Sequence, residues 1–392
     1  MRSIIAILFM AVAASTALAL PAFPGAQGFG SQTIGGRGGR VIEVTNLNDN
    51  GTGSFRAACE ASGARIVVFR TGGLISLTSR INIQNPFITI AGQTAPGDGI
   101  CLRGGQLSIN THDVVVRYLR SRAGDNSDYN SGINPSNRDA FEIQNSSTPP
   151  YNIIFDHCSA SWGVDETIST WYACHDITFQ WNIIAEGLHV SLHPNGAHSK
   201  GLLIGESGRN ISIHHNLFAC NWERNPLIKG GTTTEVVNNV MYNWGGDDHD
   251  CIYVGYADQL PAGADPITLT GIVGNYMKAG TNSYTQAWAV RGNSSAATGS
   301  KYYIKGNIGP GRPDDTKPEF DIMRPTDRSW CVNTAPFTMS TITTFTSQKA
   351  YDSVPLTVGA TLPKRDTVDR RIIANVKNST GAIINSQSQV GG

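Results

Sequence analysis

Ile153-Ile154-Phe155-Asp156, Ile177-Thr178-Phe179-Gln180 and Ile211-Ser212-Ile213-His214 are three versions of one phrase, and that phrase decides the fold. Each is a short β-branched run that leads into a polar or aromatic pair and then, in the second and third copies, Asn. Related runs stand at Ile88-Thr89-Ile90, Val114-Val115-Val116 and Val236-Val237, with starts 26, 39, 24 and 34 residues apart from Ile88 to Ile211. A shortest period near 24, lengthened in places by inserted loops, is the mark of a solenoid with one or more strands per turn.

The rest of the chain agrees with this. Helical periodicity is almost absent, there are 43 glycines, and short strands alternate with clusters of Gly, Asn, Asp and Ser. The expectation is an all-β chain wound as a parallel β-helix, with Ile153, Ile177 and Ile211 in one apolar column. Asn182, Asn216, Asn239, Asn275 and Asn307 recur just after strands. Asn tolerates the left-handed conformation of a tight corner, and its amide can bond from coil to coil, so these five read as a structural stack. A solenoid must also close its ends. Residues 54 to 61 read as an N-terminal capping helix, and the stretch holding Lys364-Arg365-Asp366 and Asp369-Arg370-Arg371 as a return along the outside. The polar residues after about 377 read as loose.

An apolar run from residue 3 to 14 behind Arg2, closed by Ala17-Leu18-Ala19, has the form of a secretory signal. The expected organisation is a signal peptide at 1–19 and a single domain at 20–392, with no later membrane span. A secreted, extracellular and monomeric protein is the expectation. Seven cysteines, none in a Cys-x-x-Cys pair, leave both disulfides and buried free thiols open and make a zinc site improbable. Sequons at Asn50, Asn145, Asn210, Asn293 and Asn378 are candidate glycosylation sites. Thirty Lys and Arg balance thirty Asp and Glu. Zero net charge argues against nonspecific nucleic-acid or membrane binding, so an acidic ligand needs a local patch.

That patch is legible. His198-Ser199-Lys200-Gly201, Arg224-Asn225-Pro226 and Lys229 are expected to place three cations on successive short strands. Asp139 and Asp165 offer carboxylates from the two preceding units, as a calcium ion bridging protein and substrate carboxylates would need. The combination points to an acidic polysaccharide handled with calcium.

Several further segments, Ala22-Phe23-Pro24-Gly25-Ala26-Gln27-Gly28-Phe29-Gly30, Gly35-Gly36-Arg37-Gly38-Gly39, Val44-Thr45-Asn46-Leu47-Asn48-Asp49, Ile90-Ala91-Gly92-Gln93-Thr94-Ala95-Pro96-Gly97, Asp156-His157-Cys158-Ser159 and Arg224-Asn225-Pro226, resemble the pectate lyases of polysaccharide lyase family 1 over essentially the whole mature chain. The resemblance implies a right-handed single-stranded parallel β-helix whose cleft binds polygalacturonate with Ca2+. It implies β-elimination, in which the C5 proton is removed, the C4 oxygen leaves and a 4,5-unsaturated end remains. By the same resemblance Arg224 is the catalytic residue, Lys200 and Lys229 bind substrate, and Asp139 and Asp165 hold the metal. Many relatives carry a second arginine where Lys229 stands and an aspartate where Ser169 stands, and Glu166 is the candidate to supply the additional carboxylate.

Other clusters read more plainly. Asp247-Asp248-His249-Asp250 reads as a solvated turn, and Asp156-His157 as support within the coil. Of His214 and His215, strand alternation lets only one face out. Trp222, beside Arg224, is a candidate to stack on a sugar. Pectin lyase action on methyl-esterified polymer, a polygalacturonase-like hydrolase and a noncatalytic glycan-binding β-helix are the alternatives. The hydrolase would need paired carboxylates with room for a water.

Overall fold

The computed structural model describes residues 20–125, 133–198, 200–245, 250–283, 287–293 and 296–392. The expected signal at 1–19 and residues 247–249 of the Asp247-Asp248-His249-Asp250 cluster lie outside them. Among the described residues the strands form three parallel sheets, of eleven, eight and eight strands. Each coil visits all three in turn, as in Tyr151–Asp156, Ser159–Ser161 and Glu166–Thr170, before the next coil begins at His175–Gln180. We call these the long, back and cleft sheets. The winding is a right-handed parallel β-helix.

The repeated phrase builds the long sheet. Ile153 pairs with Ile177 and Ile177 with Ile211 in successive strands, and all three are fully buried, so the apolar column forms as the period requires. Phe155 and Phe179 stack two residues on, with ring centroids 5.5 Å apart.

The corner from long to back sheet carries the Asn stack. Asn182 accepts from Cys158 N, and the amide nitrogens of Asn182, Asn216, Asn239 and Asn275 each donate to the next Asn Oδ1, ending at Asn307, over 2.9 to 3.0 Å. The left-handed residue, however, is the one before each Asn and, at the start of the corner, before Cys158. His157, Trp181, His215 and Asn238 have φ between 51° and 57° (52°, 56°, 55° and 52°), and Gly274 and Gly306 have φ 63°. Their rings stack along the outside of the corner, His157 on Trp181 and Trp181 on His215. Both His214 and His215 are buried, so neither takes the one outward place that alternation allowed. Phe345, from a segment crossing the long sheet, covers His215 edge-on.

The ends and flanks are closed. Helix α1 (Phe55–Glu60) starts at Ser54, whose side chain accepts from Ala57 N. The N-terminal stretch lies across the long sheet, where Gly30 N donates to Thr178 Oγ1. A Cβ on Gly30 would lie 2.2 Å from Ile153 O, which is why that motif needs glycine. Two helices hidden from the sequence reading, α2 (Ser347–Thr357) and α3 (Thr367–Asn378), bury Val354, Val358, Ile372 and Val376 against Ile183, Leu217 and Val240 of the back sheet. Arg122 ties the return segment down through Asp366 and Asp369 at 2.7 and 2.9 Å.

The tail after 377 is docked, contrary to expectation. Ile384 and Gln387 are buried, Gln387 accepts from Asp125 N, and Ser386 caps a final turn. All seven cysteines are free thiols, six of them buried. No helix among the described residues is long and apolar enough to cross a membrane.

Candidate active site

The turns from back to cleft sheet are the long ones, and they carry the charges. Phe141 pairs with Ile168, Glu166 with Lys200, and Lys200 bridges to Glu223. Asp139, Glu166, Lys200 and Glu223 therefore occupy one lane in four successive coils, about 4.8 Å apart. Asp165 and Arg224 flank the lane.

Asp139 is buried. One of its oxygens accepts from Glu166 N at 3.1 Å and the other from Ser169 Oγ at 2.5 Å. Ser169 thus orients a carboxylate and does not add one. Oxygens of Asp139, Asp165 and Glu166 lie within 4.8 Å of one another. Burial, then the adjoining Asp165 and Glu142, hold the Asp139 carboxyl well above the usual carboxylate range.

Glu142, missed in the sequence, shares this concavity with the three carboxylates, Trp171 and Tyr172. It accepts from Gln106 and Ser108, and Arg80 is 3.7 Å away. Its place in the alternating strand Phe141–Ile143, opposite Ser169, was the available signal.

His193 and His198 also escaped the sequence reading. They approach Asp165 at 3.4 and 2.8 Å, so Asp165, His193 and His198 make a second compact trio. The imidazoles lie nearly parallel, with centroids 3.8 Å apart, and His193 Nδ1 accepts from Asn195 N. The Nε2–H of His193 is then left to donate toward Asp165.

Lys200 stands in the lane beside Glu223, and Arg224, the next residue after Glu223, flanks it. Lys200 pairs with Glu223 and Arg224 with Glu166. Burial pushes the Lys200 ammonium down to about 8, with Asp165 pulling the other way. Burial likewise lowers Arg224, against the pull of Asp165 and Asp139. Arg224 has φ 63°, and its carbonyl accepts from Leu202 N at 2.7 Å. A Cβ on Gly201 would stand 2.4 Å from that carbonyl, which explains the glycine after Lys200.

Arg224 and Lys229 sit at opposite ends of one coil's cleft-sheet segment and not on successive strands. Lys229 is buried and paired with Glu206 at 2.7 Å and with Asp258, between the rings of Trp171 and Tyr256. Trp222 stacks on His189 with centroids 4.3 Å apart. A second cavity, of about 250 Å³, opens beside Arg224 and is lined by Glu223, Leu227, Asp250, Tyr253, Tyr256 and Arg291.

No protein-family model matches the chain. It is 37% identical over 382 residues to the "Probable pectate lyase C" of Aspergillus terreus, spanning 95% of this chain and 82% of that one. The protein of the same name from Emericella nidulans gives 37% over 382 residues, 95% and 80%. Among solved structures, a pectate lyase bound to a hexasaccharide matches with a TM-score of 0.60 at 13% identity, over 88% of this chain and 99% of that one. The cedar-pollen allergen jun a 1 gives 0.59 at 17%, over 85% and 92%. The structural likeness concerns the fold. The sequence identity along nearly the whole length goes further, and by it the chain belongs to the pectate lyase family of polysaccharide lyases.

Proposed function

We propose that this enzyme is a secreted, calcium-dependent pectate lyase that cleaves demethylated homogalacturonan by β-elimination, leaving 4,5-unsaturated ends. The observation that carries the reading is the lane itself. Asp139 and Glu166 are adjacent like charges with Asp165 beside them, and Lys200 and Arg224 follow within two coils. The donors are all hard oxygens, and the raised Asp139 carboxyl marks a site short of positive charge, so the residues fit Ca2+. When bound, the ion would neutralise a galacturonate carboxylate and make the neighbouring C5 proton more acidic.

The chain's own residues do the rest. Lys200 meets a substrate carboxylate, which takes the place of Glu223. Arg224, whose protonated form is disfavoured by burial, removes the C5 proton. The C5–H electron pair forms the C4=C5 bond, the C4–O4 bond breaks, and O4 takes a proton from water. Glu166 is shared between Arg224 and the acidic trio, so drawing Glu166 toward a cation frees the guanidinium for the sugar. Lys229 enters as a substrate contact by exchanging Asp258, whose side chain is 40% exposed, for a galacturonate carboxylate, with Glu206 remaining as its partner.

The test is ultraviolet absorption of unsaturated product from polygalacturonate and from highly methylated pectin, with and without a chelator. Product from polygalacturonate only, abolished by the chelator, is expected. Chelator-resistant product from methylated pectin would overturn the reading in favour of pectin lyase.

A further inference from the structure

We propose that the tail at 382–392 is the positioning element of Asp165: it fixes the turn at 186–198, and the turn sets His198 against that carboxylate. This rests on the reading above of Asp165 as a calcium ligand. The turn leads from Ile183–Ala185 of the back sheet toward Lys200–Ile204 of the cleft sheet, and its residues form neither helix nor strand. A turn of that length keeps one conformation only where contacts from outside hold its backbone. Val190 and Leu192 are exposed, so its outer end buries little of its own.

The coils hold the start of the turn, where Gly187 N donates to Asn221 Oδ1 at 3.0 Å and Leu188 N to Gly163 O at 2.8 Å. The next two amides go to the tail. His189 N donates to Ile384 O at 2.8 Å and Val190 N to Asn385 Oδ1 at 3.0 Å, while Ile384 packs in one cluster with Leu188, Trp162 and Val164. The turn then doubles back, and His198 N donates to His189 O at 2.7 Å. The residue gripped by the tail is thus the one that carries His198, whose Nε2 stands 2.8 Å from Asp165 Oδ1. Asp165 in turn shares the acidic trio with Asp139 and Glu166. The tail is itself a firm support, because Asn385 N and Ser386 N both donate to Gln389 Oε1, at 2.6 and 3.1 Å, and Ser386 Oγ and Gln387 Oε1 both bond Asp125, at 3.1 and 2.9 Å. Groups that orient a metal ligand in this way set the affinity of the site.

The experiment compares the full-length wild type with the double variant Ile384→Ala, Asn385→Ala and with Asn385→Asp, which keeps an acceptor for Val190 N. Thermal unfolding controls for folding. In the chelator-treated proteins, amide hydrogen exchange over 186–198 should be faster in the double variant and unchanged in Asn385→Asp. Calorimetric titration should show calcium bound about tenfold more weakly by the double variant, the low end for losing a group that orients a metal ligand, and with near wild-type affinity by Asn385→Asp. Saturating calcium should restore the double variant's kcat on polygalacturonate. Faster exchange with unchanged calcium affinity would make the tail merely structural and overturn the proposal. So would unchanged exchange in the double variant, or a kcat that stays low at saturating calcium. No calcium binding by the wild type would instead sink the reading of Asp165, and the proposal with it, whatever the exchange shows.

Discussion

Two ladders run along this β-helix at one residue per coil, and they solve the same spacing in opposite ways. At the corner between long and back sheets, Asn182, Asn216, Asn239, Asn275 and Asn307 repeat one side chain, each donating to the next. An amide carries both donor and acceptor, so identical residues satisfy one another at any length. At the edge of the cleft sheet, Asp139, Glu166, Lys200 and Glu223 differ from coil to coil. Charges stacked about 4.8 Å apart are satisfied only by alternation, which holds between Lys200 and Glu223 and fails between Asp139 and Glu166. The first ladder is complete in itself, whereas the second leaves like charges adjacent, which on the function proposed above an ion and an anionic ligand would complete. On the proposed function, stability resides in the one and chemistry in the other.

Breaking the charged ladder should give the largest effect. Arg224→Lys keeps the charge but moves the reacting nitrogen, and kcat on polygalacturonate should fall at least about 100-fold, within the range of general-base contributions. Binding should change far less, because on the proposed function Lys200 and a calcium ion at the acidic trio would still hold the carboxylates. Steady-state kinetics with oligogalacturonate binding on the same variant separates the two. Lost affinity with normal turnover would make Arg224 a binding residue.

Breaking the amide ladder should do the reverse. Asn216→Ala removes the donor to Asn239 Oδ1 and leaves Asn182 N and the Phe179 carbonyl without their partner. Each orphaned buried group costs about 1 to 3 kcal/mol, so chemical denaturation should show a loss of at least about 2 kcal/mol. The kcat of the folded fraction should be unchanged, and a drop in kcat would mean that the two ladders are coupled.

A smaller effect sharpens the contrast from the covered side. Burial pushes His214 down to about 4 and His215 to about 3. Unfolding lets both take up protons below about 6.5, so the unfolded state binds more protons there and stability falls as pH drops from about 6.5 toward 4. His215→Phe, between Trp181 and Phe345, should flatten that slope in melting curves taken across this range. An unchanged slope would place the acid sensitivity elsewhere.

The same contrast explains what the sequence disclosed. Repetition is visible in a single chain, so the Ile153, Ile177 and Ile211 column and the Asn ladder could be read directly. The left-handed corner residues were harder, because aromatic side chains at His157, Trp181 and His215 conceal what their backbones do. Helix α2, with Pro355 inside it, has a weak pattern of its own, whereas α3 carries its signal in the Asp366 cap and in Val368, Ile372 and Val376 at four-residue spacing. In the cleft, Asp139, Asp165, Glu166, Lys200 and Arg224 do meet. Their pairings, and the burial of Lys229 under Glu206 and Asp258, depend on contacts between coils that no local stretch records. The docking of the tail through Gln387 onto Asp125 N is of the same long-range kind.

The central claim is that the adjacent like charges at Asp139 and Glu166 are completed by a divalent cation. Calorimetric titration of the chelator-treated protein with calcium, for the wild type and for Asp139→Asn, tests it most directly. The account predicts one saturable site in the wild type, weakened at least about tenfold in Asp139→Asn, with the fold unchanged by circular dichroism. Equal calcium binding by the two proteins, or none by the wild type alongside full chelator-resistant activity, would contradict it.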